Sequence, residues 1–165
     1  GQAHLPWRGR ITTSRAPGIS GSPDGTALAT QEVQEFFGQA RATEFTGYNA
    51  GAIEATEEEP GDPGRPAVRF TAEEQEWSYR RFILHYAHIC AEAGGVDAFC
   101  VGSEMRGLTQ IRGANNSFPA VVEMGRLVSD VRGVVGAEVK LGYAADWSEY
   151  FGYQPQDGSA TAPWH

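Results

Sequence analysis

Lysine is almost absent from this chain: Lys140 is the single one in 165 residues, and the formal net charge is −8. A surface that grips nucleic-acid phosphates relies on clustered Lys and Arg, so a phosphate groove is excluded. Cysteine is scarce too. The two that exist, Cys90 and Cys100, sit in apolar stretches, which predicts buried free thiols rather than a disulfide or a metal site. No apolar run approaches the roughly 20 residues of a membrane-spanning helix, and no secretory signal is expected. Several catalytic signatures are missing as well. No Gly-rich phosphate loop opens a helix after a strand. Ser103 lacks the flanking glycines of a nucleophile elbow, and His85 and His88 do not have zinc-protease spacing.

The informative stretch is Val96-Asp97-Ala98-Phe99-Cys100-Val101-Gly102-Ser103-Glu104, an apolar run that ends in a carboxylate. Successive side chains on a strand face opposite sides. Ala98, Cys100, Gly102 and Glu104 therefore share one face, and Phe99 and Val101 the other. Small residues on one side with bulky ones opposite suit the wall of a β/α barrel, where a terminal acid faces the mouth. The alternative is that Glu104 begins a solvated loop, with Arg106 as its local partner.

A second strand repeats the pattern. In Glu138 to Asp146, Gly142, Ala144 and Asp146 fall on one side and Val139, Leu141 and Tyr143 on the other. Between the two runs, Ser117 is placed to cap a helix with Pro119 in its first turn, and Val121, Met124, Leu127, Val128, Val131 and Val135 form its apolar face up to Gly136. Strands separated by a helix are parallel, so Glu104 and Asp146 are expected at one end of one sheet. The fold expected is α/β, a partial (β/α)8 TIM barrel of which about half is present. An open doubly wound sheet remains the alternative.

Upstream, Leu5 to Ser14 reads as a short strand, and residues 15–25 as a Gly-, Pro- and Ser-rich loop. A helix from about Thr26 to Phe37 follows, stopped by Gly38. Short strands are expected at 42–48 and 67–70. They flank a flexible acidic loop at about 50–68, where Glu57-Glu58-Glu59 and paired prolines oppose compaction. Thr71 with Glu74 offers a capping box for a helix whose stripe is Tyr79, Phe82, Ile83, Tyr86, Ala87, Cys90 and Ala93, ended by Gly94-Gly95. Its histidines are expected to pack rather than bind metal. Residues 1–165 are expected to be an excerpt of one barrel domain, since such barrels typically need roughly 250 residues.

Paired carboxylates with aromatic neighbours suit cleavage of a glycosidic bond, in which one acid protonates the departing oxygen and a second attacks carbon or activates water. Glu104 is the candidate acid/base and Asp146 a possible second carboxylate. Arg8, Arg10 and Arg106 offer guanidinium groups to a ligand. Trp147, Glu149 and Tyr150 supply a stacking and polar surface, although loop packing accounts for Trp147 and Tyr150 equally well. No cofactor and no metal is expected.

Five segments together carry a resemblance: Pro6 to Thr12, Tyr79 to Ala87, Gly94 to Phe99, Gly102 to Leu108 and Tyr143 to Tyr150. In order, they resemble the TIM-barrel-like domain of gene transfer agent and phage-tail hub proteins. That family is similar to glycoside hydrolases, with an acid closing the fourth strand where Glu104 would lie. The nucleophile of the related hydrolases sits on the seventh strand, beyond this chain. The resemblance implies a tail tip or baseplate of a virion-like particle, made in the bacterial cytoplasm. Its expected partners are other tail subunits and a cell-envelope polysaccharide or peptidoglycan.

Overall fold

The computed structural model describes residues 8–49, 66–73 and 76–150. The chain forms two compact units, one from Gly1–Phe37, Cys100–Arg126 and Gly142–His165, the other from Gly38–Phe99 and Leu127–Leu141.

In the first unit Arg8–Arg10 form a 3-10 turn and residues 11–14 are not a strand, in contrast to the expectation for that part of Leu5 to Ser14; residues 5–7 lie outside the described residues. Helix α1 spans Ala27–Phe37 and buries Ala29, Val33 and Phe37. The loop before it is ordered by one carboxylate. Asp24 Oδ1 accepts the backbone N–H of Arg112 at 2.7 Å, Oδ2 pairs with the Arg112 guanidinium at 2.6 Å, and the N–H of Gly25 returns to the Arg112 carbonyl. The short helix α3, Arg106–Thr109, packs against the Arg8–Arg10 turn. A Cβ on Gly107 would lie 2.7 Å from the carbonyl oxygens of Gly9 and Ile11, so only glycine permits this approach.

The second unit is a hairpin laid on a helix. Strands β1, Phe45–Asn49, and β2, Pro66–Phe70, pair antiparallel with Phe45 opposite Phe70. Two short strands were expected here; residues 42–44 form a 3-10 turn ahead of β1, and residues 66–68 belong to β2 rather than to the acidic loop, whose remainder at 50–65 lies outside the described residues. Helix α2 covers Tyr79–Glu92 and contacts both strands. His88 stacks on Phe45 at 5.0 Å and bonds the Ala42 carbonyl at 2.9 Å, a packing role.

Helix α2 departs from its expected start and face. Its N-cap is Ser78, whose hydroxyl accepts the Arg81 N–H, so the Thr71 signal does not open the helix. Glu74 lies outside the described residues. The buried face is Arg80, Ile83, Leu84 and Ala87, whereas Phe82 and Tyr86 are exposed. Arg80 occupies a core position because its guanidinium pairs with Asp130 and bonds the Ala40 carbonyl, which offsets the desolvation of its charge.

Three elements contribute to both units. Helix α4 spans Pro119–Val135, and Ala120, Met124, Leu127 and Val131 are buried along it. Each fully buried Leu or Val stabilises by about 1.5–3 kcal/mol. Ser117 does not cap it; its hydroxyl turns back to the Ala114 carbonyl, while the Phe118 carbonyl accepts the first helical amides. Gly136, at φ 93°, closes the helix as expected, and Arg132 bonds the carbonyls just beyond it. Strands β3, Ala98–Ser103, and β4, Lys140–Ala144, pair with each other. Lys140 N–H bonds the Asp97 carbonyl at the start and Glu104 N–H bonds the Ala144 carbonyl at the end, so the strands run in parallel. Among the described residues these make two two-stranded sheets, and no barrel closes.

The alternation on β3 and β4 is as expected, and the bulky side is the more buried one. Val101 is buried and Phe99, Leu141 and Tyr143 are half-buried, while Ala98, Cys100, Gly142 and Ala144 are exposed. Cys100 is therefore a free thiol, as expected, but not a buried one; Cys90 is free and half-buried.

Candidate active site

All eight residues singled out as catalytic or ligand-binding belong to the first unit. Glu104 immediately follows β3, and Asp146 follows β4 by two residues. Because the strands are parallel, both acids emerge at one end of the pair. Helix α3, which begins at Arg106, touches both the Arg8–Arg10 turn and the short helix α5, Trp147–Tyr150. The arginines and the Trp147 segment are thus gathered around one short helix. Arg8, Arg10 and Arg106 are exposed, and Trp147 is 77% exposed. The expectation for the Tyr150 side chain lies outside the described residues.

The backbone at Glu104 is unusual. Its φ is +52°, a left-handed conformation that non-glycine residues rarely adopt because Cβ crowds the carbonyl. Such a conformation costs on the order of 1–2 kcal/mol and persists only where surrounding bonds hold it. Here they do. The Glu104 N–H bonds the Ala144 carbonyl at 2.8 Å, and the next amide, Met105 N–H, bonds the Tyr143 hydroxyl at 2.7 Å.

The Tyr143 hydroxyl in turn donates to Glu149 Oε1 at 2.8 Å, and Thr109 Oγ1 donates to the same oxygen at 2.7 Å. The backbone N–H of Asp146 donates to Glu149 Oε2 at 2.7 Å. Glu149 is 1% exposed. Its carboxylate faces this cluster of donors rather than solvent, and three hydrogen bonds replace the water that burial removes. Glu149 thereby ties α5, α3 and β4 together.

Asp146 caps α5. Its Oδ1 accepts the Ser148 N–H at 2.9 Å and the Ser148 hydroxyl, while Glu149, three residues on, returns to the Asp146 N–H. Asp146 thus caps the helix through the Ser148 amide, and Glu149 satisfies the cap residue's own N–H in return. The Ser148 hydroxyl and amide, with a smaller contribution from the Arg106 charge, hold the Asp146 carboxyl below its usual value against a small opposing desolvation. Asp146 is consequently an anion at neutral pH, suited to electrostatic stabilisation and unsuited to delivering a proton.

The cap was legible in the Asp146-Trp147-Ser148-Glu149 spacing, where Asp146 was expected as a second carboxylate and Glu149 as a ligand contact. Tyr143 and Thr109 carried no such signal, because their partners lie six to forty residues away. No group of His, Cys, Asp and Glu able to hold a metal occurs among the described residues.

Parallel strands ending in acids at one edge, followed by short helices bearing arginine and tryptophan, have the layout of a β/α-barrel rim. Residues 77–165, more than half of the chain, match the family described as the GTA TIM-barrel-like domain, GTA denoting gene transfer agent, and the chain belongs to that family. The resembling segment at Pro6 to Thr12 precedes the matched span. No curated protein matches the chain. None of the described helices is long and apolar enough to cross a membrane.

Proposed function

We propose that this chain is part of a glycoside-hydrolase-like barrel in a phage-tail-like particle, acting on bacterial cell-envelope glycan during attachment or penetration, with Glu104 as acid/base. The observation that carries the reading is the pinned left-handed backbone of Glu104 at the end of β3. Strained residues held by a dedicated network concentrate at sites where side-chain position matters to chemistry. Asp146 supports an oxocarbenium-like transition state as a fixed negative charge. Arg8, Arg10 and Arg106 line the same short helix and offer donors to sugar hydroxyls or carboxylates, and the exposed Trp147 ring offers a stacking face.

The test is release of reducing ends from purified envelope glycans by the domain and by Glu104→Gln. Release by the unaltered protein that falls at least about a hundredfold in the variant supports the assignment, in line with loss of a general acid. Equal release removes Glu104 from the mechanism.

A second reading, a non-catalytic structural or glycan-binding module of the tail hub or baseplate, is favoured by one observation. Asp146 Oδ1 already accepts two bonds from Ser148 and Glu149 is buried, so two of the rim's three acids have internal duties. Glycan binding without any release of reducing ends supports that reading instead.

A further inference from the structure

A cleft of about 450 Å³ in the second unit is lined by Trp77, Ser78, Arg81, Phe82 and His85, none of which the proposed reaction uses. It opens on the outward side of α2, whose buried face is Arg80, Ile83, Leu84 and Ala87. Trp77 is 88% exposed, Phe82 56% and Tyr86 48%. These are not scattered: Phe82 meets Tyr86 edge-on at 5.0 Å, and Tyr86 meets His85 at 5.7 Å. Large aromatics grouped in the open mark a binding surface more often than chance exposure does.

The polar element of the cleft is Arg81. Its guanidinium lies 3.9 Å from the Trp77 ring centre and 4.4 Å from that of Phe70, and Nη1 donates to the Glu76 carbonyl. The group is thus clamped flat, with its rotamer entropy already spent. Among the described residues no carboxylate forms a salt bridge with it. In a chain of net charge −8, a clamped cation with no acidic partner among the described residues stands out. His85 beside it favours its neutral form, through burial first and then the positive charges of Arg81 and His88. Of the five lining residues, Arg81 alone carries charge.

We infer that this cleft binds a carboxylate-bearing sugar of an acidic glycan, the ring stacking on Trp77 and Phe82 and the carboxylate meeting the Arg81 fork. The chemistry needs both halves. An acidic side chain of a peptide would meet the cation and leave the aromatic walls bare, and a neutral sugar would do the reverse. A pyranose uronate presents an apolar C–H face and an anionic edge together, and the volume suits one or two such rings. This rests on the reading that the domain engages glycan, and names which kind.

Isothermal titration of the chain with trigalacturonate, with cellotriose as the neutral probe, tests it. Trigalacturonate is expected to bind and cellotriose to bind at least about tenfold more weakly, the worth of one charge-assisted contact. Trp77→Ala is expected to weaken trigalacturonate at least about tenfold without loss of fold, since the indole is so exposed; Arg81→Gln does likewise and Arg81→Lys falls between, because an ammonium keeps the charge and loses the fork. No binding of trigalacturonate into the millimolar range, equal binding of the two sugars, or an unaffected Trp77→Ala overturns the inference. Reducing-end release that persists while the cleft fails to bind separates this failure from failure of the catalytic reading.

Discussion

The hydroxyl of Tyr143 accepts the backbone N–H of Met105 at 2.7 Å and passes its own proton toward Glu149 at 2.8 Å. One phenol thus connects the peptide that follows Glu104 to a buried carboxylate. With the Glu104 N–H held by Ala144, β4 fixes both amides around the Glu104 α-carbon, and the direction of that side chain is set by its neighbour strand.

Removing the phenol oxygen isolates this effect. Tyr143→Phe leaves the Met105 N–H unpaired and strips a donor from Glu149, a loss of about 1–3 kcal/mol in urea unfolding. A change below about 0.5 kcal/mol, the usual scale of an inconsequential surface substitution, would contradict the network's role.

The left-handed backbone of Glu104 makes a second, opposite prediction. Glu104→Gly relieves the Cβ clash whereas Glu104→Ala retains it, so the glycine variant is expected to be the more stable of the two by about 1 kcal/mol. The order of their urea midpoints decides it. Alanine above glycine would mean that the conformation carries no strain in solution.

The Asp24–Arg112 pair is a buried ionic link in the first unit, with both side chains about nine-tenths enclosed. Asp24→Ala removes a carboxylate from the Arg112 guanidinium and the acceptor of the Arg112 N–H, and is expected to cost at least about 1–3 kcal/mol. Replacing both partners, as Asp24→Leu with Arg112→Met, restores much of that loss, because the desolvation of the pair disappears together with its attraction. A double variant as unstable as the single one would show that the backbone bond from Arg112 N–H to Asp24 dominates.

Acid sensitivity follows from two carboxylates. Glu76 is held below its usual value: burial works against the charge, but the Ser78 hydroxyl, the Gln39 and Ala40 amides and the Arg80 charge outweigh it. Asp146 is lowered by Ser148. Below its ordinary pKa each binds a proton more readily in the unfolded chain than in the folded one, so the stability each adds is complete above about pH 4–4.5 and is lost as pH falls through the lowered folded values. His85, also lowered, adds a milder loss that begins as pH drops below 6.5, where only the unfolded chain readily takes up the proton. Glu76→Gln and Asp146→Asn are expected to flatten the acid limb of a stability profile; an unchanged limb in both would place the sensitivity elsewhere.

Much of this architecture was legible in the residues. The period of apolar residues gave α1 and α4, and Gly38 and Gly136 marked where they stop, because backbone conformation leaves its trace at single positions. The strict alternation in Ala98 to Ser103 and Lys140 to Ala144 identified two strands, and the helix between them their common direction. Paired polar atoms distant in sequence left no such trace. Arg80 sits where periodicity demands an apolar residue, and only Asp130, fifty positions away, explains it. The Arg8–Arg10 segment has β-prone neighbours yet coils, because α3 closes on it at Gly107, a contact invisible without tertiary structure. At the rim, the acids were found but their duties were not: capping and burial are decided by three-dimensional donors, and composition does not reveal which lone pairs are taken.

Cys100 lies exposed among the small residues of β3, with Gly142 and Ala144 likewise uncovered on β4. That thiol is a built-in gauge of coverage. A maleimide reacting with Cys100 in the isolated chain but not in an assembled particle would reveal that some other surface comes to rest on this bare wall, and the rate of reaction would time its arrival.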